Sequence, residues 1–208
     1  MKNEYKVLEQ IKTEQGNAVS LLGLSNKKYQ KLVIGVVHGD EPQGEDLINK
    51  YLSEYEKEGV LFIPCLNPDG KMLCERTNSR GVDLNRNFPT KNWELTERDK
   101  YFGGESPCCE CETKFLVDVI DKYEPCAIVT LHTPYKIVNY DGPAEELATM
   151  ISEVIGYPVE ASIGYPTPGS FGTYAGVERQ IPTITLEMDE EVEVEELYPP
   201  ICKIFERL

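Results

Sequence analysis

The sequence predicts a single-domain α/β/α sandwich over residues 1–208, built on a mixed, mostly parallel central sheet. Three observations predict it. Nearly continuous apolar runs, such as Leu32-Val33-Ile34-Gly35-Val36-Val37, mark strands covered on both faces. Segments of helical period separate those runs, the alternation that gives layered α/β folds. No internal repeat, low-complexity tract or Gly/Ser linker offers a place to divide the 208 residues. A chain of that length buries about 70% of its extended surface without disulfide staples.

Two strands are expected near the N-terminus, Tyr5 to Ile11 and Ala18 to Leu24, followed by the run Leu32 to Val37. Leu47, Ile48, Tyr51, Leu52 and Tyr55 then recur at helical spacing. Val60 to Leu66 is the next buried-strand run. It ends in Asn67-Pro68-Asp69-Gly70, a turn in which Pro fixes φ and Gly supplies positive φ. Residues 67–110 carry little periodicity and many Asn, Arg, Gly and Pro; so long an irregular stretch is usually functional. Phe115, Leu116, Val119, Ile120 and Tyr123 predict a second helix, Ala127 to Leu131 a strand, and Leu147, Met150, Ile151, Val154 and Ile155 a third helix. Ile163 to Gly172 reads as a Gly/Pro loop, Pro182 to Met188 as the last strand, and Leu197 to Leu208 as a final helix starting near Pro199-Pro200.

Composition narrows the function. Lys and Arg number 21 against 36 Asp and Glu, a formal charge of −15. Such a chain repels phosphate backbones and anionic lipid surfaces, so neither nucleic acid nor membrane is expected as a partner. The longest strictly apolar runs are about six residues, far short of the ~18–20 a membrane span needs. Met1-Lys2-Asn3-Glu4-Tyr5-Lys6 lacks the apolar core of a signal peptide. Seven cysteines, an odd number, then read as reduced thiols in a cytoplasm.

In parallel sheets ligands sit beyond the carboxyl ends of the strands, and here those ends are unusual. Leu32 to Val37 leads into His38-Gly39-Asp40-Glu41, Ala127 to Leu131 into His132, Pro182 to Leu186 into Glu187, and Val60 to Leu66 into Asn67. A single histidine so placed is more often a core-edge imidazole bonded to a backbone carbonyl. Here both of the chain's two histidines end strands, and one has a carboxylate three residues on. Three N/O ligands with an open fourth position is what catalytic Zn²⁺ requires. H-x-x-E spacing alone, however, recurs by chance. Glu187 could merely begin the acidic run Asp189-Glu190-Glu191, but it lies inside a strand pattern, between Leu186 and Met188, which favours a catalytic carboxylate. Arg76, Arg80 and Arg86 concentrate guanidinium groups in an acidic protein. Arg86, flanked by Asn85 and Asn87, suits a bidentate grip on a carboxylate, whereas Arg80 reads as a surface ion-pair partner. Cys108-Cys109-Glu110-Cys111 lacks the second pair that a structural zinc site needs and reads as thiols at a helix start. Cys65, Cys74, Cys126 and Cys202 read as buried small hydrophobes.

Taken together, His38-Gly39-Asp40-Glu41, Asn67-Pro68-Asp69-Gly70, Arg76, Gly81-Val82-Asp83-Leu84-Asn85-Arg86-Asn87-Phe88-Pro89, His132 and Glu187 follow the order found in zinc carboxypeptidases of the carboxypeptidase A type. The resemblance spans roughly residues 32–190. It implies one Zn²⁺ per chain held by His38, Glu41 and His132, with Glu187 as general base. Arg76 would polarise the scissile carbonyl, and Asn85 and Arg86 would bind the free carboxylate of the substrate's last residue. It also implies Tyr165 as a mobile tyrosine closing over that carboxylate and Phe171 as a wall of the side-chain pocket, although Tyr165 stands one residue nearer the following Gly-Ser than in the digestive enzymes. Gly164 to Gly172, with Asn92-Trp93, most resembles the branch that splits the γ-D-glutamyl–meso-diaminopimelate bond of cell-wall (murein) peptides in the cytoplasm. The expected partner is thus a small murein-derived peptide.

Two rivals stand beside this reading. His38-Gly39-Asp40-Glu41-Pro42 is also at home in deacylases of N-acyl amino acids such as succinylglutamate or acetylaspartate. A catalytically silent zinc- or peptide-binding module is the other, weakened because no motif position is substituted.

Overall fold

A computed structural model describes residues 4–24, 30–161 and 164–208. Met1 to Asn3 of the N-terminal reading, and Ile163 at the head of the expected loop, lie outside the described residues. Eight strands join one sheet: β1 (Tyr5–Lys12), β2 (Ala18–Leu24), β3 (Lys31–Ile34), β4 (Val60–Ile63), β5 (Ala127–His132), β6 (Ile137–Asp141), β7 (Val159–Glu160) and β8 (Thr183–Glu187), in the order β1-β2-β4-β3-β5-β8-β6-β7. The central β4-β3-β5-β8 block is parallel, while the β1–β2, β2–β4 and β6–β8 pairings are antiparallel.

Alternation along the strands sorts the core into two layers. Val33, Phe62, Val129, Leu131, Ile184 and Leu186 face α1 (Gln43–Glu54), α4 (Glu145–Ile155) and α5 (Val194–Arg207). Leu32, Ile34, Leu61, Ile63 and Ile128 face α3 (Cys111–Tyr123) and a π-helix, Gly172–Glu178. The second layer turns polar on one side: Thr130 and His132 of β5, Thr183, Thr185 and Glu187 of β8, and Asn139 and Asp141 of β6 alternate with the first layer's apolar residues. That polar stretch of sheet is where the cleft lies.

Several boundaries differ from the sequence reading for identifiable reasons. β4 stops at Ile63 because Pro64 has no N–H to give the ladder. β3 stops at Ile34, and Val36 takes φ 50°, a left-handed conformation unusual for a β-branched residue, which turns the chain out of the sheet four residues short of His38. Asn67-Pro68-Asp69-Gly70 is not a free turn but the start of a short helix, α2 (Pro68–Leu73), with Asn67 Oδ1 accepting from Gly70 N at 2.9 Å. α5 begins at Val194, with Pro199 and Pro200 inside it. The carbonyls those prolines leave unbonded belong to Glu195 and Glu196, both exposed to water, and the two acids favour the helix N-terminus. β6, β7 and the π-helix are absent from the sequence reading, being short or weakly periodic.

Candidate metal centre and cleft

The ends of β3, β5 and β8 lie side by side, and the chain crosses to opposite sides of β3 through α1 and α3, which makes this a topological switch point. His132 and Glu187 close their strands and are direct neighbours in the parallel β5–β8 register. His38 and Glu41 arrive from the loop between β3 and α1. That loop packs so tightly on α2 that a Cβ on Gly39 would collide with the backbone of Gly70 and Lys71.

His38 Nδ1 lies 2.8 Å from Glu41 Oε1, His132 Nδ1 lies 2.8 Å from Glu41 Oε2, and the two Nδ1 atoms are 3.2 Å apart. All three residues are buried. Ligands of a tetrahedral Zn²⁺ with ordinary bond lengths stand about 3.4 Å from one another, so a small relaxation of these atoms fits one ion. The donor set is chemically apt as well, two imidazoles and one carboxylate with a cleft on the remaining side. Burial resists charge here, but the Glu41 and Asp83 carboxylates outweigh it at His38 and raise its pKa to about 9. Burial likewise opposes ionisation of Glu41, yet His38 and His132 hold its carboxyl well below the usual range. His132 goes the other way: burial dominates and lowers its pKa.

Asp83 had no assigned role in the sequence reading, and it organises the site. It is fully buried, lies 3.4 Å from His38 Nε2 through Oδ1, and accepts from Arg76 Nε through Oδ2 at 2.9 Å. A carboxylate behind a ligand imidazole fixes its orientation and strengthens it as a donor. The same Oδ1 accepts from Asn85 N at 2.8 Å and caps the 3₁₀ turn Leu84–Arg86. One side chain thus sets His38, Arg76 and Asn85 together. The available signal was its place two residues before Asn85, the Asx-turn spacing; attention to strand ends passes over it.

Arg76 Nη1 stands 3.3 Å from His38 Nδ1 and 3.8 Å from Glu41 Oε1. Asn85 Oδ1 accepts from Phe171 N at 2.8 Å, which leaves its amide nitrogen toward the cleft it lines. Arg86 is buried, anchored by Nη1 donating to Asn85 O at 2.7 Å. Tyr101, also unremarked in the sequence, lies under Arg76 and Arg86 with both guanidinium carbons within 6 Å of its ring centre (5.3 and 5.8 Å). Glu187 is 7% exposed and its Oε2 meets no hydrogen-bond partner among the described residues. Burial, reinforced by the Glu41 charge, raises its pKa to about 8.

These groups share a cleft of about 320 Å³, lined also by Tyr135, Asn139, Asp141 and Tyr165. Tyr165 is half exposed at its rim. Phe171 is not a wall of it: the ring is 3% exposed and packs at a tilt in the core against Phe88, ring centres 5.0 Å apart. The family resemblance implies Phe171 in the pocket, but the adjacent Gly172 begins the π-helix and turns the aromatic inward, so only the Phe171 backbone serves the site. Exposed Arg80 reaches the buried Glu110 carboxylate at 3.4 Å, the ion-pair role expected for it. Cys108 and Cys109 precede α3 and Cys111 opens it, but Cys74 and Cys126 are exposed, against the expectation of burial. Asn92 and Trp93 brace the loop carrying Tyr165, through Asn92 Oδ1 to Gly169 N (3.4 Å) and the indole against Gly169.

Comparison with known proteins gives the same picture. The zinc carboxypeptidase family model matches residues 5–204. Murein peptide amidase A of Escherichia coli (strain K12) is 38% identical over 159 residues, covering 69% of this chain and 64% of that protein. Its namesake from Vibrio campbellii is 34% identical over 172 residues, 76% of this chain and 68% of that one. The chain thus spans just under two thirds of the length of the Escherichia coli relative. The crystal structure of murein-tripeptide amidase from Escherichia coli O157 superposes with a TM-score of 0.85 at 25% identity, over 100% of this chain and 92% of that one.

Proposed function

The chain belongs to the zinc carboxypeptidase family, and we propose that it hydrolyses the amide bond before a C-terminal residue with a free carboxylate, specifically the γ-D-glutamyl–meso-diaminopimelate bond of murein peptides. Residues 1–208 act as one peptidase unit in this reading, working in the cytoplasm, which suits a chain with an odd number of cysteines. The carrying observation is the convergence of His38, Glu41 and His132 beside the Glu187 carboxylate, whose Oε2 has no hydrogen-bond partner among the described residues.

Zn²⁺, the family's metal, would be held by His38 Nδ1, Glu41 and His132 Nδ1, and it supplies Lewis acidity and a more acidic water when bound. Asn85 and Arg86 seat the substrate's terminal carboxylate, and Tyr165 at the rim covers it. That fixes the scissile carbonyl between Arg76 and Glu187. Glu187 takes a proton from the attacking water and delivers it to the departing amine nitrogen; a carboxyl with a raised pKa is suited to both transfers near neutral pH. Arg76, held by Asp83, donates N–H to the oxyanion as the carbonyl becomes tetrahedral.

The test is a metal analysis followed by assays on γ-D-glutamyl-meso-diaminopimelate peptides, on the same peptides with the terminal carboxylate amidated, and on N-acyl amino acids. The expected result is one zinc per chain and cleavage of the free-carboxylate peptide alone. Preferred turnover of N-acyl amino acids would make the chain a deacylase, and zinc without turnover on any of the three would make it a binding module.

A further inference from the structure

Beside the metal centre the cleft gathers positive charge around one aromatic ring. Arg76 Cζ lies 5.3 Å from the centre of the Tyr101 ring, Arg86 Cζ 5.8 Å and Lys100 Nζ 5.0 Å. A π face attracts each cation, but three cations on one ring also repel one another. Arg76 is matched by Asp83 at 2.9 Å, and Arg86 has a role in the chemistry above, the seat of the terminal carboxylate. Lys100 has neither. It lines the cleft, and among the described residues no carboxylate stands within ion-pair distance of it.

The turn that carries Lys100 is tied to the site. Phe102 N donates to Asp99 O at 3.2 Å and closes a β-turn, and Asp99 Oδ1 accepts from Tyr101 N at 2.7 Å, which fixes the two central residues. Phe102 O in turn accepts from Asp83 N at 2.8 Å, and the Phe102 side chain is buried. Gly103 then passes so close to Arg86 that a Cβ there would collide with the Arg86 carbonyl oxygen. The turn tip, Lys100-Tyr101, is therefore held against the backbone of Asp83 and Arg86. An ammonium placed this way beside two guanidinium groups is a fixed point of attraction for an anion.

We propose that Lys100 binds a second substrate carboxylate, the one left free on the glutamyl residue that supplies the scissile carbonyl, so that the cleft selects an acidic residue on the acyl side of the bond. The proposal rests on the reading above, in which Asn85 and Arg86 hold the terminal carboxylate and Arg76 meets the scissile carbonyl. With the terminal carboxylate seated, a further free cation calls for a further carboxylate. In a γ-linked glutamyl residue that group is the α-carboxylate, four bonds from the carbonyl that is cut and about 5 Å away when extended. Lys100 Nζ and Arg76 Cζ share one ring and so stand no more than about 10 Å apart. A carbonyl oxygen about 3 Å from Arg76 and a carboxylate about 3 Å from Lys100, joined by that link, span the gap. An acyl residue with a neutral side chain offers Lys100 nothing.

The experiment compares zinc-loaded parent, Lys100→Met and Lys100→Arg on two γ-D-glutamyl-diaminopimelate peptides, one with the glutamyl α-carboxylate free and one with it as the carboxamide. The parent should favour the carboxylate by about tenfold in kcat/KM at low salt, mainly through KM, and the preference should shrink as salt is added. In Lys100→Met, which keeps the aliphatic stem without the charge, the ratio should fall to within about twofold, while Lys100→Arg should keep most of it. A parent that cleaves both peptides equally overturns the proposal. So does a ratio unchanged in Lys100→Met, even if both rates drop, because a merely structural residue would lower both alike. If the parent cleaves neither peptide, the reaction proposed above fails, and calorimetric titration with the same two peptides still decides the role of Lys100. Tighter binding of the carboxylate form that Lys100→Met abolishes supports it; equal or absent binding of the two by the parent overturns it.

Discussion

Replacing Glu187 by Gln should stabilise the metal-free chain while destroying its catalysis. The carboxyl is 7% exposed, and burial together with the Glu41 charge raises its pKa from the ordinary 4.5 to about 8. Between those values the folded chain keeps a proton that the unfolded chain has released, so stability is full below about pH 4.5 and is lost as the pH rises toward 8. At pH 7 the unfolded carboxyl is about two and a half pH units past its titration, and at 1.36 kcal/mol per unit the burden is about 3 kcal/mol. Gln carries the neutral shape at every pH and removes it. In chelator at pH 7 the variant should melt roughly 6–12 °C above the parent, since each kcal/mol moves a chain of this size by about 2–4 °C. At pH 4.5 the difference should vanish. His38, raised to about 9, adds a loss of the same sign above its unfolded value of 6.5, and that part remains in the variant. With zinc restored, Glu187→Gln should retain its metal and lose about 10²–10⁴ in turnover. A variant that melts at or below the parent at pH 7 in chelator would refute the claim that Glu187 is held neutral, and unchanged turnover would remove it from the mechanism.

Two further perturbations test the scaffold. Asp83→Asn removes the charge behind His38 and should weaken zinc binding by about 10–100-fold, read by competition with a chelator of known affinity; equal affinity would show that Asp83 only caps the 3₁₀ turn. Gly39→Ala forces a methyl into the backbone of α2, where nothing flexible can yield. It should lower the melting temperature by the equivalent of about 3 kcal/mol or more and deprive the chain of zinc, and a normally melting, zinc-replete variant would contradict the packing described for the His38 loop.

The sheet and its ligand-bearing ends were legible because a buried strand leaves a continuous apolar run, and a polar residue that interrupts such a run is conspicuous. His132 and Glu187 are of that kind. His38 was legible by the same logic although the strand before it is shorter than its apolar run, since Gly35, Val36 and Val37 are buried outside the sheet. Where the fold uses polar residues on a strand, the signal fails: β6 reads Ile-Val-Asn-Tyr-Asp and shows neither a run nor a clear alternation. Phe171 shows the limit of the family resemblance, because whether an aromatic next to a loop faces the cleft or the core depends on the π-helix that follows, and seven residues of Gly, Thr, Tyr, Ala, Val and Glu announce no helix of any period. Asp83 shows in the sequence only as an Asx turn onto Asn85; its hold on His38 and Arg76 depends on tertiary structure.

The two arginines do not act alike as attractors of an anionic substrate end. Arg76 is matched by Asp83 at 2.9 Å and leans on Glu41, so little of its charge reaches the cleft mouth. Arg86 has no carboxylate within ion-pair distance among the described residues. The cleft lining carries five acids (Asp40, Glu41, Asp141, Glu187, Glu190) against three Arg and Lys (Arg76, Arg86, Lys100), inside a molecule of net charge −15. A divalent cation on His38, Glu41 and His132 would add positive charge beside the carboxylate seat. Metal loading should therefore govern how well an anion enters as well as the chemistry. Binding of a free C-terminal amino acid, the reaction's product, should weaken at least tenfold on chelation, about 1.4 kcal/mol, and Arg86→Lys should weaken it in the loaded chain by loss of the planar two-point grip. Equal affinity with and without metal would place the whole attraction on Arg86, and an unaffected Arg86→Lys would move the carboxylate seat elsewhere in the cleft.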